Sequence, residues 1–398
     1  MEAGPVSGGA TEPPRRLKVV HVITRLDLGG AQENTLYTVR HLDPSRFEVI
    51  LVCGPGGALY DDVKTMPETA HWRALFLPSL VRHIHPGLDL LAFLQLVSFF
   101  TAEKPDVVHT HSSKAGVLGR LAAKAAGVRR VVHTYHGFGF NDHQASWVKS
   151  FYVWAERLCC ALSDEIVFVS KSNQDYARRH RLGRPERYRL IRSGIKLPAF
   201  PAPVPDKERK KASLGLGMHK PLVLSIGNLK PQKNPGDFLS MAQRVCAKLP
   251  ETSFLFVGDG PLRQRLEYRV IAEGMSNRVA MPGWRRDTAE LLAVAEVFVM
   301  TSLWEGLPRA LVEAMKSGLP CVCYATDGIS DILKDGVNGF LVPQGNLTLL
   351  TQRVLELLRD PELRRRLGRA AMDSIGEEFD IDLMVRAQER LYQERPPA

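Results

Sequence analysis

Six cysteines in 398 residues make neither a disulfide scaffold nor a metal centre. Cys159 and Cys160 are adjacent, Cys321 and Cys323 alternate within the apolar run Pro320–Tyr324, and no metal-ligating spacing repeats. Buried, reduced thiols in a cytoplasmic protein are expected. Long hydrophobic runs are also missing. Leu88–Phe100 is the longest apolar stretch and is too short to span a bilayer. Met1–Arg16 is rich in glycine and proline and lacks the apolar core of a signal peptide, so a disordered tail over 1–16 is expected. Acidic residues are in deficit, 43 against 53 Lys+Arg, for a net charge of +10. The deficit lies in the first half, where residues 1–200 hold 26 basic and 18 acidic residues while residues 201–398 hold 27 and 25. An anionic surface or ligand is implied there. Nucleic acid is not the expected partner, because the basic run Arg178–Arg192 is split by Gly183 and Pro185 and carries no reader motif. A full G-x-G-x-x-G is absent as well; Gly258-Asp259-Gly260 supplies only part of one, which argues against NAD.

What the chain has is alternation. Its length suggests two domains, and apolar strand-like runs alternate with amphipathic stretches from Leu17 to Leu162. The runs are Leu17–Thr24, Phe47–Val52, Pro105–His109 and Val128–His133, with helices expected over 31–41, 88–101, 111–126 and 147–162. Such alternation predicts an α/β fold with a parallel sheet covered on both faces. Ligands of these sheets bind beyond the carboxyl ends of the strands. That rule gathers Gly29-Gly30, His109, His111 and His136 on one rim, with His136 beside Gly137 the histidine to promote. After a proline-rich and then charged linker at 198–219, the alternation restarts at Pro221 and runs to Leu358. The 147–162 helix, with Trp147, Phe151 and Trp154, is expected to pack on a core, the alternative being a helix on a membrane surface.

Within the second half, Ser302–Pro320 (S-L-W-E-G-L-P-R-A-L-V-E-A-M-K-S-G-L-P) holds two carboxylates, Glu305 and Glu313, around a turn that opens a helix. Pro308 suits the first helical position and Gly318 the left-handed position past the end. Leu311, Ala314 and Met315 fall at core-facing spacing. One reading is a capped amphipathic helix with two solvated glutamates. The other is a site for a ligand with hydroxyls at both ends and phosphate between, held at the free N–H groups of the first turn, as in a nucleotide-sugar. Asp380-Ile381-Asp382 has the form of a metal-binding D-x-D, but its place just before a terminal helix suits a capping aspartate.

Four motifs in this order settle the choice by resemblance: G-N-L-K-P-Q-K-N-P (Gly227–Pro235), V-G-D-G-P-L (Val257–Leu262), E-x(7)-E (Glu305/Glu313) and D-G-V-N-G-F-L-V-P (Asp335–Pro343). With Gly29-Gly30 and the H-T-H-S-S-K-A-G-V-L-G-R and H-T-Y-H-G-F runs, the chain from Leu17 to Tyr392 resembles retaining GT-B glycosyltransferases of family 4, of the capsule, exopolysaccharide and lipopolysaccharide type. The resemblance implies two Rossmann-like domains facing across a cleft: an acceptor domain at 17–197, a donor domain at 220–378, and a terminal helix in 379–398 packing back on the first domain. It implies Glu305, Lys233 and His136 as catalytic residues. The donor would be held by Gly29, Gly30, Gly227, Asn228, Gly258, Trp284, Arg285, Gly306, Leu307, Pro308, Arg309, Ala310 and Glu313. Glu313 would hold the ribose, the backbone at Leu307, Arg309 and Ala310 the diphosphate, and Lys233 would neutralise the leaving group. Neither cofactor nor metal is implied.

The function expected is retaining, metal-independent transfer of a sugar from a nucleotide-sugar, UDP-linked in the first instance, to a lipid-linked or growing glycan. Contact with an anionic membrane at the cytoplasmic face is part of that expectation. The alternatives are an epimerase or hydrolase on the same fold, and a degenerate domain that only binds a nucleotide-sugar. Three positions depart from the family pattern: Asn228 replaces an arginine, Lys196 stands where Asp is usual, and Asp327-Gly328-Ile329-Ser330-Asp331 replaces a Gly-Gly-x-x-Glu loop. Lys230 or Arg309 is expected to compensate for Asn228.

Overall fold

β-Branched and apolar runs that cannot face water on either side form the central strands of two sheets. A computed structural model describes residues 15–66, 71–140, 144–216 and 220–394; the predicted tail lies outside them except for Arg15 and Arg16. The first sheet contains β1 (Leu17–Ile23), β2 (Phe47–Cys53), β3 (Trp72–Phe76), β4 (Val107–His111), β5 (Arg130–Tyr135), β6 (Glu165–Phe168) and β7 (Tyr188–Leu190). Its order is 3-2-1-4-5-6-7 and every pair is parallel. The second contains β8 (Leu222–Ile226), β9 (Ser253–Val257), β10 (Val279–Gly283), β11 (Val297–Met300), β12 (Cys321–Tyr324) and β13 (Phe340–Val342), in the order 10-9-8-11-12-13, again parallel.

The molecule is thus two Rossmann-like α/β domains in the GT-B arrangement. In each sheet the strand order reverses beside its first strand, between β1 and β4 and between β8 and β11. A crevice opens at such a reversal because successive crossover helices leave to opposite faces. The segments after β1, β8 and β11 therefore converge, and they carry Gly29-Gly30, Gly227-Asn228 and Thr301–Glu305.

The last helix, Ile381–Gln393, closes the first domain rather than the second. Ile381, Met384, Val385, Leu391 and Tyr392 pack in one apolar cluster with Val19, Ile23, Phe47 and Val49 of β1 and β2. Asp380 caps this helix, its carboxylate accepting from the amides of Asp382 (2.8 Å) and Leu383 (3.0 Å). The segment expected as a linker contains the helix Lys207–Ala212. Lys210 ties that helix to Asp287 at 2.7 Å, so the stretch is built into the second domain. Residues 217–219 lie outside the described set.

Candidate active site

The helix Arg309–Lys316 anchors the site. Leu311, Val312, Ala314 and Met315 are completely buried, which fixes its inner face. Pro308 stands at the N-cap with an extended ψ of 110°, one position earlier than the spacing suggests, and no side chain caps the first turn. The other end has the expected stop: Gly318 has φ +75° and donates to the Met315 carbonyl at 3.0 Å, while Leu319 donates to Ala314 at 3.1 Å. These two bonds are a Schellman closure. Residues of the uncapped first turn, Arg309 and Ala310, line the cleft between the domains, and such a turn leaves amide groups without intrahelical partners.

Glu305, in the loop before this helix, forms an ion pair with Lys233, and both side chains are largely buried. Lys233 ends a single 3-10 turn, Pro231–Lys233, followed by Asn234 in the left-handed region at φ +45°. The turn is stitched to the Glu305 loop. Thr301 Oγ1 donates to the Lys233 and Asn234 carbonyls at 3.0 and 2.9 Å, the Leu303 amide to Gln232 at 2.8 Å, and Gln232 Nε2 to Trp304 at 2.9 Å. Two segments far apart in sequence thus hold one acid and one base in register.

Arg309 spans the cleft. It pairs with Glu33 of the first domain and, at 3.2 Å, with Glu313 one turn along its own helix. Burial pushes the Glu313 carboxyl above its ordinary range, opposed by the Arg309 charge. The Gly29-Gly30 loop approaches the same guanidinium stem; a Cβ on Gly30 would lie 3.2 Å from Arg309 Cδ. Gly29 itself is extended, with φ 175°, so close approach rather than a left-handed backbone is what asks for glycine here. Gly306 lies against the backbone of the first domain. A Cβ there would sit 2.0 Å from the His136 carbonyl oxygen.

A cavity of about 680 Å³ is lined by Gly29, Gly30, His136, Gly227, Asn228, Lys233, Trp284, Arg285, Glu305, Leu307, Pro308, Arg309, Ala310 and Glu313. A second cavity of about 510 Å³, walled by Phe138, Phe140, Tyr176 and Trp304, adjoins it. The two share Ala31, His136, Gln232 and Glu305. Gly306 lines the second cavity rather than the first. Gly258 lines neither; at φ +145° it lies beneath the floor, where a Cβ would be 1.9 Å from the Gly227 carbonyl. Arg285 faces the cleft but is held by Asp287 at 2.6 Å. His109 and His111 are not on the rim: both are buried between the first sheet and the last helix.

Comparison with known proteins shows the family of the chain. The model for Glycosyltransferase Family 4 matches residues 28–197, and that for Glycosyl transferases group 1 matches residues 206–373. A UDP-Gal:alpha-D-GlcNAc-diphosphoundecaprenol alpha-1,3-galactosyltransferase of Escherichia coli is 32% identical over 87% of this chain and 89% of its own. The chain belongs to glycosyltransferase family 4. The putative glycosyltransferase EpsD of Bacillus subtilis is 29% identical over 70% of this chain and 74% of its own. The structure of Anabaena HepE in complex with UDP and glucose superposes with a TM-score of 0.80 over 95% of this chain and all of that one, at 21% identity.

Several residues of this family 4 enzyme's cleft were not singled out by sequence. Glu33, Gln232, Ser193 and Thr288 line the larger of the two cavities, and Asn173 and Tyr176 the other. Gln232 lies inside a quoted motif and was within reach; Glu33 and Ser193 meet the cleft only because the domains face each other. Asp331, which replaces the family's glutamate, turns away from the cleft. It accepts from the Ser172 amide at 3.1 Å, at the start of the first domain's helix Lys171–Arg179. Lys230 lines a neighbouring cavity with Arg25, Arg82 and Asn228, not the one that holds Lys233 and Arg309. The aromatic stripe of the helix Ser146–Ala161 does not pack inward as expected. Trp147, Phe151 and Trp154 are exposed, and Val153, Cys159 and Cys160 form the inner face.

Proposed function

We propose that this glycosyltransferase moves a sugar from a UDP-linked donor to a lipid-linked or growing glycan, with retention of anomeric configuration and without a metal ion. One observation carries the reading: two cavities, one of them at an uncapped helix start, meet at Glu305 and His136. A donor in the larger cavity puts its ribose at Glu313 and its diphosphate at the amides of Arg309 and Ala310. Its sugar then lies at Glu305, and the acceptor enters through the aromatic cavity. Lys233 neutralises the departing diphosphate, work that a metal performs elsewhere. The leaving phosphate oxygen takes the acceptor proton on the same face, so no protein nucleophile is assigned. Further support comes from the UDP-Gal donor and lipid-diphosphate acceptor in the name of the Escherichia coli relative, and from the UDP and glucose in HepE.

A thermal-shift panel of nucleotide-sugars tests the donor, since a ligand that binds only the folded state raises its melting temperature. UDP-sugars are expected to shift it; a panel in which no UDP-sugar does contradicts the reading. Product analysis with and without acceptor separates transfer from hydrolysis or epimerisation, and the anomeric coupling of the product reports retention. Turnover that persists in excess chelator supports metal independence, and its loss with recovery on adding metal refutes it.

The membrane face is proposed at the helix Ser146–Ala161. Trp147, Phe151, Trp154 and Leu158 are 77, 59, 62 and 49% exposed and recur every three or four residues, forming one apolar stripe. No helix among the described residues is long and apolar enough to cross a membrane. Flotation with anionic liposomes is expected to carry the protein, and a Trp147→Ser/Trp154→Ser variant is expected to stay behind. Equal flotation of both removes this face from the proposal.

A further inference from the structure

Behind His136 lies a row of buried side chains that the transfer reaction does not use directly. His136 Nε2 is 3.2 Å from His111 Nδ1, and His111 Nε2 is 3.0 Å from His21 Nδ1. His21 Nε2 faces the Tyr392 hydroxyl at 3.5 Å, a long contact, and His109 Nδ1 faces the same hydroxyl at 2.6 Å. Tyr392 sits on the last helix with Gln388, whose carbonyl accepts from the tyrosine hydroxyl at 3.1 Å. His21, His109 and His111 are essentially unexposed, and burial holds each imidazole neutral. A neutral imidazole has one N–H and one lone pair, so fixing either nitrogen fixes the other.

The directions follow from Gln388. Its amide nitrogen donates to Thr38 Oγ1 at 3.3 Å, leaving the carbonyl for Tyr392. The single tyrosine proton is then committed, so the hydroxyl oxygen accepts from both histidines that face it. His21 consequently carries its proton on Nε2 and accepts from His111 on Nδ1; His111 in turn accepts from His136. The last lone pair in the row is His136 Nδ1, which is shielded from solvent and has no hydrogen-bond partner among the described residues.

We propose that Tyr392 and Gln388, carried to the first domain by the C-terminal helix, are positioning residues. Through His21 and His111 they hold His136, a residue that lines both cavities, in the tautomer whose buried Nδ1 is a bare acceptor. Any group that completes His136 at Nδ1 is therefore a hydrogen-bond donor, and not a phosphate oxygen or carboxylate. The catalytic consequence rests on the transferase reading above; the tautomer does not.

Long-range proton–nitrogen correlation spectra of the full chain labelled at histidine test it directly. His21, His111 and His136 are expected as Nε2–H tautomers in the unliganded protein. Tyr392→Phe removes only the hydroxyl, and Gln388→Met frees the tyrosine proton to turn toward His21. Either change is expected to give His136 a mixture of tautomers and to lower kcat/KM about tenfold, the lower end for loss of a group that orients a histidine. Affinity for UDP alone should stay unchanged. An Nδ1–H tautomer of His136 in the wild-type protein overturns the proposal, as does an unaltered tautomer in both variants. Stoichiometric zinc co-purifying with His21, His109 and His111, whose nitrogens lie within 4.8 Å of one another, overturns it too. If UDP fails to bind the wild-type protein while the tautomers are as stated, the donor assignment has failed and the relay stands.

Discussion

Arginine is missing at position 228, where the family resemblance leads one to expect it, and two residues nearby in sequence could replace it. Only Arg309 shares a cavity with Lys233 and Glu313; Lys230 lies in the neighbouring one. Arg309→Ala is therefore expected to lower turnover about 100-fold, as removal of one preorganised charge-stabilising donor does. Lys230→Ala should behave like the exposed control Lys207→Ala. Steady-state kinetics of the three variants decide it, and equal turnover in all would rule out both residues as the replacement. A second prediction concerns protons. Burial depresses the imidazoles of His21, His109, His111, His133 and His136, His21 to about 3 and His136 to about 4. Between those values and the unfolded value of about 6.5, the unfolded chain binds more protons than the folded one. Stability is thus intact above pH 6.5 and is lost as pH falls, each histidine contributing up to about 1.4 kcal/mol per pH unit. Melting temperatures measured from pH 7.5 to 5 should fall steeply, and a flat profile would contradict neutral burial.

Among the elements, the helix Arg309–Lys316 is largely legible in the sequence. Its inner face, its glycine stop and the two glutamates around its opening turn are local features; the face follows from helical spacing and the stop from the φ that glycine tolerates. Its exact start was not, because Pro308 suits both the N-cap and the first turn. Gly306 was named for its place in the motif, but its physical duty is contact with the other domain. Gly306→Ala would push a methyl group into the His136 carbonyl. We expect a cost of about 1–3 kcal/mol in chemical denaturation, and activity reduced at least as much as stability. An unchanged variant would mean that the domains do not meet there in solution. Elements that went unread are short or locally ambiguous. Trp72–Phe76 carries an arginine at its second position, Phe340–Val342 has three residues, and Lys207–Ala212 is a highly charged helix that owes its place to ion pairs with residues some 80 positions away.

For the whole molecule, the last helix matters more than its position in the chain suggests. It buries Ile381, Met384, Val385, Leu391 and Tyr392 against the first sheet, after the chain has completed the second domain. At about 1.5–3 kcal/mol for each buried apolar side chain, its removal rivals the entire net stability of about 5–15 kcal/mol usual for a domain. Truncation after Asp380 is expected to yield aggregated protein or to lose near-ultraviolet circular dichroism, and a soluble, fully folded truncate would contradict that packing. The crossover also ties the domains together and brings Tyr392 within reach of the histidines beside the cleft.

The family came from the resemblance of a set of motifs, while alternation of buried strands and amphipathic helices, punctuated by glycine and proline, was enough by itself to determine two α/β domains and the loops at their strand ends. Those properties are set by near neighbours in the chain, where side-chain period and backbone preference act directly. Only the tertiary structure decided which charges meet. Glu33 reaches Arg309 and Asp331 reaches Ser172 across a domain boundary. Lys230 lines an adjoining cavity, and His109 and His111 lie inside the protein rather than on its rim. Partners of this kind depend on how two separately folded sheets face one another, and no local spacing carries that information.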